Sequence, residues 1–323
     1  MTAPGQPGRS TFTIEGRAAP GLFVVGWLAT LLGIAGVLAG LLSSGGTAGT
    51  IVFVAGMAVL DLGLIAGAGS QAIERRARGT EPYRGPSPLL VVLASFVTVY
   101  LAAVLVGLPL AAAGISLPRP AAELLLVVIH ALTYAAIARL LVIGTGALTW
   151  VEMGFAGPAR RVLGDLAWGA LLAGPVILAT AVLAVVLVAV FKSAPVSPLP
   201  PSGSSLGLVL HLVAGAIVAP VGEEILFRGV VTTAWVRSAG ARAGILRGAI
   251  LFAAVHILLT SADSFGQGGG MAAVGFLGRL PVALVLGWVY VRRGSIWAPI
   301  GLHAVYNGVL IAAAELAASA PSA

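Results

Sequence analysis

Two adjacent glutamates and an arginine, Glu223, Glu224 and Arg228 of APVGEEILFRG, lie inside an apolar run that extends from about Leu206 to Arg237. Two further polar pairs follow: Phe252 and His256 in LFAAVHI, and His303 and Asn307 in GLHAVYNGV. A spacing of four residues puts both members of each pair on one face of a helix, and the Glu224–Arg228 order also suits the helix dipole. Glu223 is turned about 100° from Glu224, so the arginine holds one acid and leaves the other free. A glutamate withdrawn from bulk solvent is a base able to take a proton from water. His256 would hold that water, and His303 with Asn307 would donate to the oxyanion of a tetrahedral intermediate. The three motifs contain no Ser or Cys nucleophile, which points to hydrolysis by activated water.

Two other uses of these groups stay open. Glu223, His256 and His303 form a three-ligand set that a divalent metal such as zinc would accept, with a fourth position for water. No HExxH motif accompanies them. The blander use is a set of buried hydrogen bonds that fix helix packing. Against it stands the cost of a charge at mid-bilayer, about 2.5–3.5 kcal/mol on insertion scales.

The elements that must position these groups follow from composition. Hydrophobic residues make up 59% and charged residues 9% of the 323-residue chain, against about 45–50% and 25% in soluble domains. The chain reads as all-α, a polytopic bundle of transmembrane helices. A span needs about 20 apolar residues. Nine spans are expected, near 21–43, 47–69, 88–114, 121–150, 166–191, 206–235, 244–261, 271–291 and 296–318. The seventh is the shortest and carries Arg247 and His256. With no cysteine, disulfides and thiolate metal sites are excluded.

Nearly all loop arginines fall on one side when the N-terminus is cytoplasmic, leaving only Arg119 and Lys192 outside. The positive-inside bias therefore predicts a multi-pass protein of the plasma membrane with its C-terminus external. No patch of basic and aromatic residues fits a nucleic acid. The Pro/Ser-rich KSAPVSPLPPSGSS divides the chain. The expected organisation is a cytoplasmic tail 1–20, a five-helix region 21–191, an external loop 192–205, a catalytic core 206–318 and a tail 319–323. Glu123 reads as a helix-start carboxylate and His211 as interfacial, about 18 Å along the axis from Glu223. Measured from the basic anchors, Glu223, His256 and His303 fall at comparable depth, roughly 14–21 Å in.

Taken together, EExxxR, FxxxH and HxxxN on successive helices resemble the CPBP family of CAAX-processing and bacteriocin-processing, lysostaphin-resistance-like intramembrane proteases. The resemblance covers roughly residues 206–312 and leaves the first five helices unassigned. It implies peptide-bond hydrolysis at a site open to the cytosol, with Glu223 activating water beside His256. Glu224 and Arg228 would stabilise and orient, Phe252 would support His256, and His303 with Asn307 would form the oxyanion site. The implied partners are a peptide or membrane-protein substrate and the lipid bilayer; oligomeric state is not readable. A non-catalytic scaffold or bacteriocin-immunity protein, binding peptide in the same polar cavity, is the competing reading.

Overall fold

The computed structural model describes residues 13–43, 46–193, 199–258 and 265–319. Among them the secondary structure is helical, with no strand. The helices are α1 Pro20–Leu42, α2 Gly46–Arg78, α3 Pro88–Ala112, α4 Arg119–Ile143, α5 Ala159–Phe191, α6 Ser205–Ala239, α7 Ala241–Val255, α8 Phe265–Arg293 and α9 Trp297–Ser319. Eight are long and apolar enough to cross a membrane, so the chain is a multi-pass membrane protein. Helices dominate because lipid offers no partner for a backbone N–H or C=O, and a helix satisfies nearly all of its own.

The exception is the seventh expected span. α7 has 15 residues, a length of about 22 Å against a hydrocarbon core of about 30 Å. It starts after Gly240, which has φ 83°, and stops at His256, whose Nδ1 donates to the Phe252 carbonyl at 2.7 Å. That carbonyl belongs to the last helical turn, whose carbonyls have no helix continuing beyond them to supply partners. The histidine side chain thus caps the helix it ends. Apolar sequence continues beyond it, so hydropathy alone extended the span to residue 261, into residues outside those described.

The chain forms two compact units, Met1–Val97 and Thr98–Ala323. In the first, α1 and α2 pack through small residues: a Cβ on Gly36 would sit 2.9 Å from the Gly56 Cα. Such contacts allow close backbone approach in lipid, where dispersion rather than water exclusion drives association.

The second unit contains all three motifs. Val176 of α5, Val282, Leu286 and Val289 of α8, and Ala298 and Leu302 of α9 form one buried apolar cluster. α6 lies against α4 so closely that a Cβ on Gly222 would fall 2.6 Å from the Ala131 Cα. Gly222→Val is therefore expected to push α6 off α4 and lower stability by about 1–3 kcal/mol, the usual range for overpacking. Thermal unfolding in detergent measures it; an unchanged midpoint would mean that the contact yields freely.

At its basic end the unit is tied by polar contacts. The Arg293 guanidinium donates to the buried Asp165 carboxylate, and Arg237 donates to Glu152 at 2.8 Å. That bond from Arg237 is the first reason the Glu152 carboxyl titrates below its ordinary range.

Candidate active site

The site is built on α6, whose hydrogen-bond register widens twice from α to π. Val213–Val218 and Ile225–Thr232 are π-helical, on either side of Ala219–Glu224. The first change precedes Pro220, which has no N–H and whose ring crowds the preceding turn. In the second, the Thr232 hydroxyl donates to the Phe227 carbonyl at 2.8 Å and the Thr233 hydroxyl to the Arg228 carbonyl at 3.1 Å. Both reach back five residues and support the wider turn. π turns are rare and concentrate at functional sites. Here they set which way Glu223 and Glu224 face.

Glu224 is fully buried. Its Oε1 accepts from Arg228 Nη1 at 3.0 Å and faces His303 Nδ1 at 2.8 Å. The Glu224–Arg228 contact expected from the spacing is present, and His303 is a second partner that the spacing did not reveal. Arg228, itself buried, lies over the Phe252 ring at 4.5 Å from its centroid. Phe252 also contacts both histidine rings, with centroids 4.5 Å from His256 and 5.9 Å from His303. It is the apolar hub around which the polar side chains are arranged.

Glu223 points away from that pair. Its Oε2 is 3.8 Å from His256 Nε2 and 3.8 Å from His303 Nε2. That oxygen is buried and has no hydrogen-bond partner among the described residues. The other ring nitrogens fix the tautomers. His256 Nδ1 faces a carbonyl and His303 Nδ1 faces a carboxylate, and each of those oxygens only accepts, so each Nδ1 carries hydrogen. In its neutral form each imidazole then presents the Nε2 lone pair toward Glu223. Three acceptors converging on one point call for a donor between them, and water supplies two O–H groups.

A cation is the other species that three acceptors attract. Tetrahedral zinc ligands at about 2.0–2.2 Å stand about 3.3–3.5 Å apart, closer than the 3.8 Å between Glu223 and each imidazole. No group of three or more His, Asp or Glu among the described residues has the geometry of a metal site. The zinc reading gains no support from this arrangement.

Asn307 lies one turn beyond His303 on α9. Its Nδ2 donates to the Gly215 carbonyl of α6 at 2.9 Å, a contact absent from the expected oxyanion pairing. Tyr134 of α4 and Arg279 of α8 lie within electrostatic reach of Glu223. Neither belongs to a spaced motif, so spacing alone places neither of them beside Glu223. His130 stays with its own helix, its Nδ1 facing the Leu126 carbonyl at 2.7 Å.

His211 lies near the start of α6 and is buried within the bundle, with Nε2 2.8 Å from Glu123 and Nδ1 3.1 Å from Glu315. Glu315 accepts from the backbone N–H groups of Ser202 and Gly203 as well. This cluster joins α4, α6, α9 and the loop before α6 well away from Glu223, in keeping with the separation along α6.

Residues 205–309 match a family model described as Type II CAAX prenyl endopeptidase Rce1-like. The match includes all three motifs and agrees with the family they resemble. No curated protein and no solved structure matches the chain.

Proposed function

With an Rce1-like segment as premise, we propose that the protein is an intramembrane endopeptidase that hydrolyses a peptide bond with water activated by Glu223. The observation that carries this reading is the buried, unbonded Glu223 Oε2 facing the Nε2 atoms of His256 and His303. Water held between Glu223 and His256 loses a proton to Glu223 as its oxygen attacks the scissile carbonyl carbon. The tetrahedral oxyanion is stabilised by His303, which enters the step protonated at both nitrogens and donates from Nε2 while Glu224 holds Nδ1. Glu223 then passes its proton to the leaving nitrogen, the C–N bond breaks, and the new carboxylic acid gives its proton to the amine, so that a carboxylate and an ammonium group leave. His256 orients the water, its ring fixed by the Phe252 carbonyl.

The distribution of arginines supports a cytoplasmic N-terminus and a site reached from the cytoplasmic side. The Ala-, Gly- and Arg-rich, Lys-poor composition fits a bacterial chain, for which a peptide or membrane-protein substrate is a better match than a prenylated one. The test compares membrane peptides from cells producing the native chain and Glu223→Gln. Peptides that lengthen only in the variant identify the substrate. Identical peptide profiles with a retained cellular phenotype would favour peptide binding without cleavage.

A further inference from the structure

We infer that Asn307 is a positioning residue: its side-chain amide takes the place of the backbone N–H that Pro220 lacks, and so fixes the segment of α6 that carries Glu223. In the π register preceding Pro220, the Ala219 N–H bonds to the Ala214 carbonyl, five residues back. The next donor in that register belongs to residue 220 and would bond to Gly215, but proline has none. Gly215 is buried, so water does not readily satisfy its carbonyl, and buried backbone acceptors are nearly always paired. Asn307 Nδ2, 2.9 Å away, supplies the bond.

The geometry gives that bond a second consequence. Gly215 and Glu224 flank Pro220, and α9 holds both: Asn307 contacts Gly215 at 2.9 Å and His303 contacts Glu224 at 2.8 Å. One turn of α9 thus clamps α6 at two points on either side of its register change. Gly215 also lies directly against α9, since a Cβ there would meet the Ile311 Cδ1 at 2.5 Å. The rotation of Ala219–Glu224, and with it the direction of Glu223, follows from the two contacts. Asn307 acts through the backbone of α6 and not as the oxyanion donor that its spacing from His303 implied. Its bearing on cleavage rests on the role proposed for Glu223; its bond to Gly215 does not.

The experiment uses the full chain in detergent or nanodiscs, with Asn307→Ala, Pro220→Ala and the double variant. Amide hydrogen exchange is followed over residues 213–224, and cleavage is assayed on a peptide identified by the comparison above. Asn307→Ala is expected to speed exchange in that segment about tenfold or more and to reduce cleavage. Pro220→Ala restores an N–H beside the orphaned carbonyl, so the double variant should recover both readings toward the native level. Native exchange in Asn307→Ala, or a cleavage defect that Pro220→Ala leaves unrepaired while exchange recovers, would overturn the inference and return Asn307 to direct oxyanion stabilisation. The exchange measurement needs no peptidase activity, so failure of the proposed function is distinguishable from failure of this contact.

Discussion

Glu223→Gln is expected to lower cleavage by about 10²–10⁴-fold, the usual contribution of a positioned general base, while the protein unfolds at its native temperature or slightly above. Glutamine has nearly the same shape but cannot take a proton from water. The Glu223 Oε2 bonds to nothing among the described residues, so replacing it breaks no hydrogen bond there. Removing an ionisable group from membrane depth also relieves part of the cost of placing it there. The histidines are less clean probes. His256→Ala deletes the group facing Glu223 and also uncaps the Phe252 carbonyl; His303→Ala leaves buried Glu224 with Arg228 alone. Cleavage assays paired with thermal unfolding separate these cases, and native-level cleavage by Glu223→Gln would remove the assigned base.

Much of this arrangement was legible because ionisable side chains are costly in apolar sequence. That ground marks Glu223, Glu224, Arg228, His256 and His303 together with other ionisable residues such as Asp61, His130, Arg139 and Arg279; four-residue spacing separates the first group and pairs Glu224 with Arg228 correctly. Spacing describes one helix at a time. It gave no sign that His303 shares Glu224 with Arg228, or that His211 reaches Glu123 and Glu315, because those partners are far apart in the chain. The π turns were hidden for another reason: hydrophobic periodicity reports which face is buried, not which carbonyl each N–H chooses. Pro220 was the available clue, a residue that must disturb the register of any helix containing it. The length of α7 was misread because apolar residues run past His256, whereas the helix stops where its side chain caps the last turn.

Arg228→Ala is expected to destabilise the protein by about 3–5 kcal/mol, the range for removing one partner of a buried ion pair. Glu224 has no solvent exposure and Arg228 only 2%, so the carboxylate left behind has no water to turn to. The loss extends beyond charge, because the guanidinium also covers the Phe252 ring that touches both histidines. Arg228→Lys should recover only part of it, since a lysine keeps the charge but has no planar group to lie over that ring. Removing both charges together, as Glu224→Gln with Arg228→Met, is expected to be less harmful than Arg228→Ala, because the carboxylate is not left buried without its arginine. Unfolding followed by tryptophan fluorescence ranks the three variants, and a native midpoint for Arg228→Ala would show that Glu224 is held without its arginine. The double variant separates stability from chemistry. The amide introduced by Glu224→Gln still offers a carbonyl to His303 Nδ1 and so keeps the ring oriented, but without the carboxylate's charge. Under the role proposed for His303, such a protein should fold yet cleave slowly, because a charged acceptor holds the ring more strongly than an amide does.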